Sequence, residues 1–307
     1  MRFASVWQAS ERRSLLCAVD DDGQLHAVGE GLADVAALIA QHGAAHGLGA
    51  AAQSLMAAAP LGHLDAIASS QPDLDTQHLL APARPAEVWA AGVTYELSRD
   101  ARIHESTEAD VYQRVYEAER PELFLKATAP RVLGPNALLG IRGDSRWHVP
   151  EPELGLVLGA DGAILGYTLG NDLSSRDIEG ENPLYLPQAK IFAGSCALGP
   201  LVVSADEVGD PYALTIEMSI ERGGAAVFEG QIETSSLHVT LDTLVEHLRR
   251  DNWLAPGTVL LTGTGLVPPD EFTLEHDDVV AITCEPVGSL RNRIAAAGDL
   301  APPPGWA

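Results

Sequence analysis

Val149-Pro150-Glu151-Pro152-Glu153-Leu154-Gly155-Leu156-Val157-Leu158 sets two carboxylates, two residues apart, at the mouth of an apolar run that reads as a strand. In a strand, residues i and i+2 point to the same face, roughly 7 Å apart. Pro150 and Pro152 bracket Glu151 and remove two backbone donors, so this point is not the middle of a fully paired strand. Two same-face glutamates there are either solvated decoration or ligands for a hard cation, and the following residues decide. Asp161-Gly162 is a hairpin signal, and residues 163–169 read as a second strand. With Asp161 and Gly162 as a two-residue loop, Glu151 falls opposite Asp172 and Glu153 opposite Gly170. Hairpin geometry alone thus delivers a third carboxylate. Three converging carboxylates repel one another unless a divalent cation sits between them. All-oxygen donors suit Mg²⁺, with Mn²⁺ and Ca²⁺ as alternatives, rather than zinc. Three protein ligands leave coordination positions open, as in a catalytic site.

The 307 residues suit one large domain plus a smaller one. Texture changes near residue 82, which divides the chain into a small N-terminal domain, residues 1–82, and a main domain, residues 83–307. Glu11, Arg12 and Arg13 interrupt the start before any signal-like apolar run develops, and no stretch approaches the roughly 20 apolar residues of a membrane helix. The three cysteines, Cys17, Cys196 and Cys284, are widely spaced and form neither a disulfide framework nor a zinc signature, which fits a reducing cytoplasm. A net charge of −24 argues against nucleic acid and anionic membranes as partners. An anionic substrate would need positive charge supplied locally. Of the 19 Lys and Arg residues only Lys126 and Lys190 are lysine. Arginine substitutes poorly for a compact point charge or a deprotonatable amine, so both lysines are candidates for function.

In order along the chain, residues 3–7 and 15–19 read as strands followed by an Asp-Asp-Gly turn at 21–23, and residues 31–59 as one or two helices broken near Gly47-Leu48-Gly49. Residues 81–85 read as a linker. Residues 98–118 are polar and helical, either a lid or a surface helix. Beyond Pro121 short strands dominate, with a Gly-Gly hairpin at 221–224 and one clear helix at 241–252 whose apolar face carries Leu241, Leu244, Val245 and Leu248. Dense strands with few helices predict a sandwich or rolled sheet.

Lys190 follows a rigid Pro-rich loop and lands near the carboxylates if that loop returns to the sheet, to serve as a base or only as their ion-pair partner. Thr262-Gly263-Thr264 lacks the lysine and helix of a phosphate loop. Its hydroxyl and amides either hold a substrate carboxylate or close an ordinary turn.

Glu151-Pro152-Glu153-Leu154, Gly166-Tyr167-Thr168, Asn171-Asp172 with Ser175-Arg176-Asp177, Lys190 and Thr262-Gly263-Thr264 together resemble the fumarylacetoacetate hydrolase superfamily over residues 85–295. The resemblance implies an α+β fold, a mixed β-sandwich roll preceded by a small N-terminal α/β domain. It also implies Mg²⁺ on residues matching Glu151, Glu153 and Asp172, and an active-site lysine and threonine matching Lys190 and Thr264. Hydrolase members carry a His-x-x-Glu pair after the tyrosine matching Tyr95; here those places hold Ser98 and Ala101, while His104 and Glu105 are adjacent. The stretches 120–127, 141–145, 181–188 and 267–269 instead resemble the 2-keto-3-deoxy-pentonate dehydratase branch. That branch implies a cytoplasmic, homodimeric or homotetrameric lyase. It would convert a small 2-oxo sugar acid (arabinonate or xylonate series) to 2,5-dioxopentanoate, with Glu122 as a catalytic acid. Lys190 and Glu122 are the expected acid–base pair, with Lys190 as proton acceptor or with the two roles exchanged, and Tyr95, Lys126, Arg142 and Thr264 are the substrate-binding candidates. The alternatives are a hydrolase cleaving a C–C bond of a 2,4-diketo acid and a non-catalytic metal-binding scaffold.

Overall fold

The computed structural model describes residues 1–96 and 114–302. Ser98, Ala101, His104 and Glu105 lie outside the described residues, as does all of the expected 98–118 helix except a helical turn at 114–117. The fold is α+β: two mixed sheets packed face to face, with few helices. In the larger, 12-stranded sheet ten strands run in the order Gly62–His63, Gln24–Ala27, Arg13–Val19, Arg2–Gln8, Cys196–Ser204, Ile164–Asp172, Pro152–Leu158, Val259–Leu261, Glu87–Gly92 and Glu122–Thr128, while His78–Leu80 pairs with Arg2–Gln8 and Val132–Leu133 with Cys196–Ser204. The smaller sheet orders Ala225–Glu233, Thr215–Arg222, Val279–Cys284, Gly288–Ala296 and Leu138–Ile141.

Alternation along Pro152–Leu158 explains the layering. Leu154, Leu156 and Leu158 project to one side, into a core shared with Ile216, Met218, Ile220 and Ile282 of the smaller sheet. The Leu241–Arg249 helix closes that core with Leu241, Leu244, Val245 and Leu248, the face its sequence marks as apolar. Val157 projects to the other side, into a second core with Val35, Leu38 and Ile39 of the Val35–His42 helix. Asp34 caps that helix by accepting from the Ala37 N–H at 2.9 Å. Both faces of the strand are therefore buried.

The N-terminal 82 residues build into the larger sheet. Arg2 and Phe3 pair with Val203 and Val202. Ala81 and Ala83, in the stretch expected as a linker, are buried, and the Pro82 carbonyl accepts from the Val35 N–H at 3.0 Å.

The hairpin register agrees with expectation for a different reason. Glu153 pairs with Gly170, and Pro152 with Asn171. The Asp172 N–H donates to the Glu151 carbonyl at 3.0 Å, and the same register continues through Val149–Ser174. The loop, however, is a turn from Gly159 to Gly162 closed by an Ala163 carbonyl, with Gly162 at φ 83. This is the three-residue hairpin, whose last residue takes a left-handed conformation that glycine accepts freely. Its extra residue is offset by a bulge that leaves Leu165 without a partner opposite Val157 and Leu158.

All three cysteines are buried, and burial pushes the Cys17 and Cys196 thiols up to about 12 and Cys284 up to about 11. At pH 8 they are thiols rather than the reactive thiolates. A disulfide-exchange reagent at pH 8 should therefore label none of them in the folded protein and all of them in denaturant. Rapid labelling of the native protein would show that one of these thiols is open to solvent.

Candidate active site

The hairpin brings Glu151, Glu153 and Asp172 together. One oxygen from each lies within 4.8 Å of the others, and their relative exposures are 3%, 1% and 1%. The donor set fits a hard divalent cation: oxygen only, buried, and convergent from two adjacent strands. Burial, followed by the charges of Asp172 and Glu151, raises the Glu153 carboxyl well above its ordinary range, against the pull of Lys190 and the Gly263 N–H. A carboxylate so placed needs a cation or a proton.

Both lysines of the chain end at Asp172. The Lys126 Nζ lies 2.5 Å from Oδ1, and the Lys190 Nζ lies 3.4 Å from Oδ2. Lys190 closes the helix Leu186–Lys190 and also donates to Glu151 Oε2 at 2.6 Å and Ser174 Oγ at 2.7 Å. Its ammonium sits 5.6 Å from the centre of the Phe124 ring, a cation–π distance. Lys126 belongs to the edge strand Glu122–Thr128, four strands from Asp172 in the sheet order, so the sheet curls around the site. A bulge opposite Val88 and Trp89 leaves Lys126 out of the ladder and redirects it inward. Its ammonium also contacts the carbonyls of Leu173 at 3.0 Å and Lys190 at 2.5 Å. Lys126, expected as a substrate-binding residue, is engaged by three protein oxygens and ties the hairpin to the Lys190 helix.

Two residues that the sequence reading gave no role complete the cluster. Arg176 donates to Glu151 Oε1 at 2.6 Å, and its Nε lies 3.6 Å from Glu179 Oε2. Both side chains are buried on the Arg176–Glu179 turn of a short helix. Their i, i+3 spacing next to Asp172 was the available signal.

The Thr262-Gly263-Thr264 turn follows the strand Val259–Leu261, which pairs with Gly155–Val157. It lies against the trio, and the Gly263 N–H donates to Glu153 Oε2 at 2.6 Å. The Thr264 hydroxyl donates to the Leu266 carbonyl and accepts from the Leu266 N–H, both at 3.1 Å. Tyr95 is buried, and burial, then the Glu153 charge, raises its phenol above the ordinary value. The Arg142 guanidinium grips Asp144 through two bonds of 2.8 and 2.6 Å and the Gln188 carbonyl at 3.1 Å. Glu122 opens the edge strand and shares a face with Phe124 by alternation, on the side where Phe124 meets Lys190.

A protein-family description, "Fumarylacetoacetate (FAA) hydrolase C-terminal", matches residues 88–295. The chain belongs to this family. Within it, the chain is 49% identical over 218 residues to the "Probable 2-keto-3-deoxyxylonate dehydratase" of Haloferax volcanii, covering 71% of this chain and 75% of that one. It is 44% identical over 213 residues to the "2-dehydro-3-deoxy-D-arabinonate dehydratase" of Saccharolobus solfataricus, covering 68% and 72%. A solved structure, "2-keto-3-deoxy-D-arabinonate dehydratase complexed with magnesium and 2,5-dioxopentanoate", superposes with a TM-score of 0.82 at 33% identity, over 96% of this chain and 99% of that one. No helix among the described residues is long and apolar enough to cross a membrane.

Removing one partner of a buried ion pair strands the other, at a typical cost of about 3–5 kcal/mol. Lys126→Met should therefore lower the urea midpoint by a loss of about that size. An unchanged midpoint with only a raised KM would return Lys126 to substrate binding.

Proposed function

We propose that this protein is a Mg²⁺-dependent dehydratase that converts a 2-keto-3-deoxy-pentonate to 2,5-dioxopentanoate. The buried trio, flanked by Lys190 and faced by the Glu122 strand, carries the reading. The names of the two relatives and of the magnesium complex support the substrate class and the metal.

Charge supports it independently. Among the described residues the cluster holds four carboxylates (Glu151, Glu153, Asp172, Glu179) and three cations (Lys126, Lys190, Arg176), leaving one negative charge if all are ionised. A divalent cation reverses that balance to one positive charge, and a monoanionic 2-oxo acid brings it to zero. Held by Glu151, Glu153 and Asp172, the cation would polarise the 2-oxo group and compete with Lys190 for carboxylate oxygens.

The chain's own groups supply the proton transfers. Lys190, held between two carboxylates and Ser174, is placed to take a C3 proton once it has given up its own and stands as the neutral amine. Glu122 protonates the departing C4 hydroxyl, so water leaves, and tautomerisation of the resulting hydroxy-enone sets the aldehyde at C5. No activated water is required, in keeping with Ser98 and Ala101 where hydrolase members carry His and Glu. Tyr95 and the Thr262-Gly263-Thr264 turn border the trio and are assigned to the substrate's carboxylate end. Arg142, already gripping Asp144, has the weaker claim on the substrate. The same proposal includes a cytoplasmic homodimer or homotetramer.

Incubation with Mg²⁺ and 2-keto-3-deoxy-arabinonate or -xylonate should yield the semialdehyde, and chelation should abolish the reaction. Glu122→Gln should lower kcat about 10²- to 10⁴-fold, with Mg²⁺ binding by calorimetry retained. Pyruvate and a carboxylic acid released from a 2,4-diketo acid would identify a hydrolase instead.

A further inference from the structure

The strand Glu87–Gly92 ends at a residue whose missing side chain is occupied by its neighbour. Gly92 pairs with Glu122, and a Cβ on Gly92 would sit 2.1 Å from Glu122 Oε2 and 2.6 Å from its Cδ. Gly92 is not among the positive-φ glycines, so the backbone there accepts any residue. What the glycine provides is space.

Strand order gives that space a direction. Glu122 lies on the edge strand, and Gly92 lies on the next strand inward. A carboxylate resting over Gly92 therefore leans into the sheet rather than out to solvent. The next strand inward, Val259–Leu261, runs parallel to Glu87–Gly92 with Leu261 level with Ala90, and in the turn beyond it the Gly263 N–H donates to Glu153. The strand that ends at Gly92 thus lies between the Glu122 strand and the strand that leads into the turn touching the trio.

We infer that Gly92 is a positioning residue for Glu122: its bare Cα is the floor over which the carboxylate is carried toward the substrate carbon distant from the trio. The inference rests on the acid–base role assigned to Glu122 above. Because the atom in the way is the end of a flexible side chain, a methyl at Gly92 displaces the carboxylate without breaking the sheet.

A double-mutant cycle tests this, with kcat, KM, Mg²⁺ affinity and Tm measured for Gly92→Ala, Glu122→Gln and the pair. Misplacing a reacting group by about 1 Å costs up to about 10²-fold, so Gly92→Ala should lower kcat about 10- to 100-fold. KM, Mg²⁺ affinity by calorimetry and Tm should stay near those of the parent. In the Glu122→Gln background the same change should alter the residual rate by less than roughly threefold, the non-additivity expected of residues in contact. Gly92→Ser, with a larger substituent, should lower kcat further. An equal fall in both backgrounds, a loss of Mg²⁺ affinity or a fully active Gly92→Ala protein overturns the role of Gly92. If Glu122→Gln alone keeps full activity, the role of Glu122 fails first, which separates the two claims.

Discussion

Charge compensation at Asp172 is the constraint on which the site depends. An ion moved from water into a protein interior loses several kcal/mol of hydration, and only close partners return it. Asp172 recovers it from two directions, with Lys126 on one oxygen and Lys190 on the other. Glu151 is held in the same manner between Arg176 and Lys190. Among the described residues Glu153 has one backbone donor and no ion-pair partner of comparable closeness, and burial, with the charges of Asp172 and Glu151, raises its carboxyl. On a chain of net charge −24 this is a place where cations and carboxylates are nearly balanced.

Much of this was legible in the sequence, for identifiable reasons. The Glu-x-Glu spacing, the hairpin and Asp172 were readable because strand periodicity and antiparallel pairing are local rules. The register came out right through two offsetting departures, a three-residue turn and a bulge at Leu165, neither of which alternation reveals. The rarity of lysine singled out Lys126 and Lys190, and both place an ammonium among several oxygens beside the trio. The helix Leu241–Arg249 was readable from its apolar face.

Other features were out of reach because they depend on which strands become neighbours. The task of Lys126 follows from a curled sheet and a bulge, and both are tertiary facts. The strands Leu138–Ile141 and Gly288–Ala296 went unread: the first is short, whereas the second alternates polar and apolar residues, a strand signal that was available. The pairing of Arg2–Gln8 with Cys196–Ser204 joins segments some 200 residues apart, and no local pattern announces it.

That last pairing bears on how the molecule is assembled. Arg2–Gln8 and Arg13–Val19 form a hairpin from neighbouring residues, able to appear early and quickly. On its other edge residues 5–7 pair with His78–Leu80, while Arg2 and Phe3 pair with Cys196–Ser204, which is also the partner of Ile164–Asp172. The strand that holds Asp172 in the sheet therefore also seats the first two residues of the first strand. Such non-local pairing belongs to slowly folding topologies, and an unpaired edge is open to a wrong partner while it waits. A carboxylate of the buried cluster and the opening residues of the chain thus depend on the same strand for their final places.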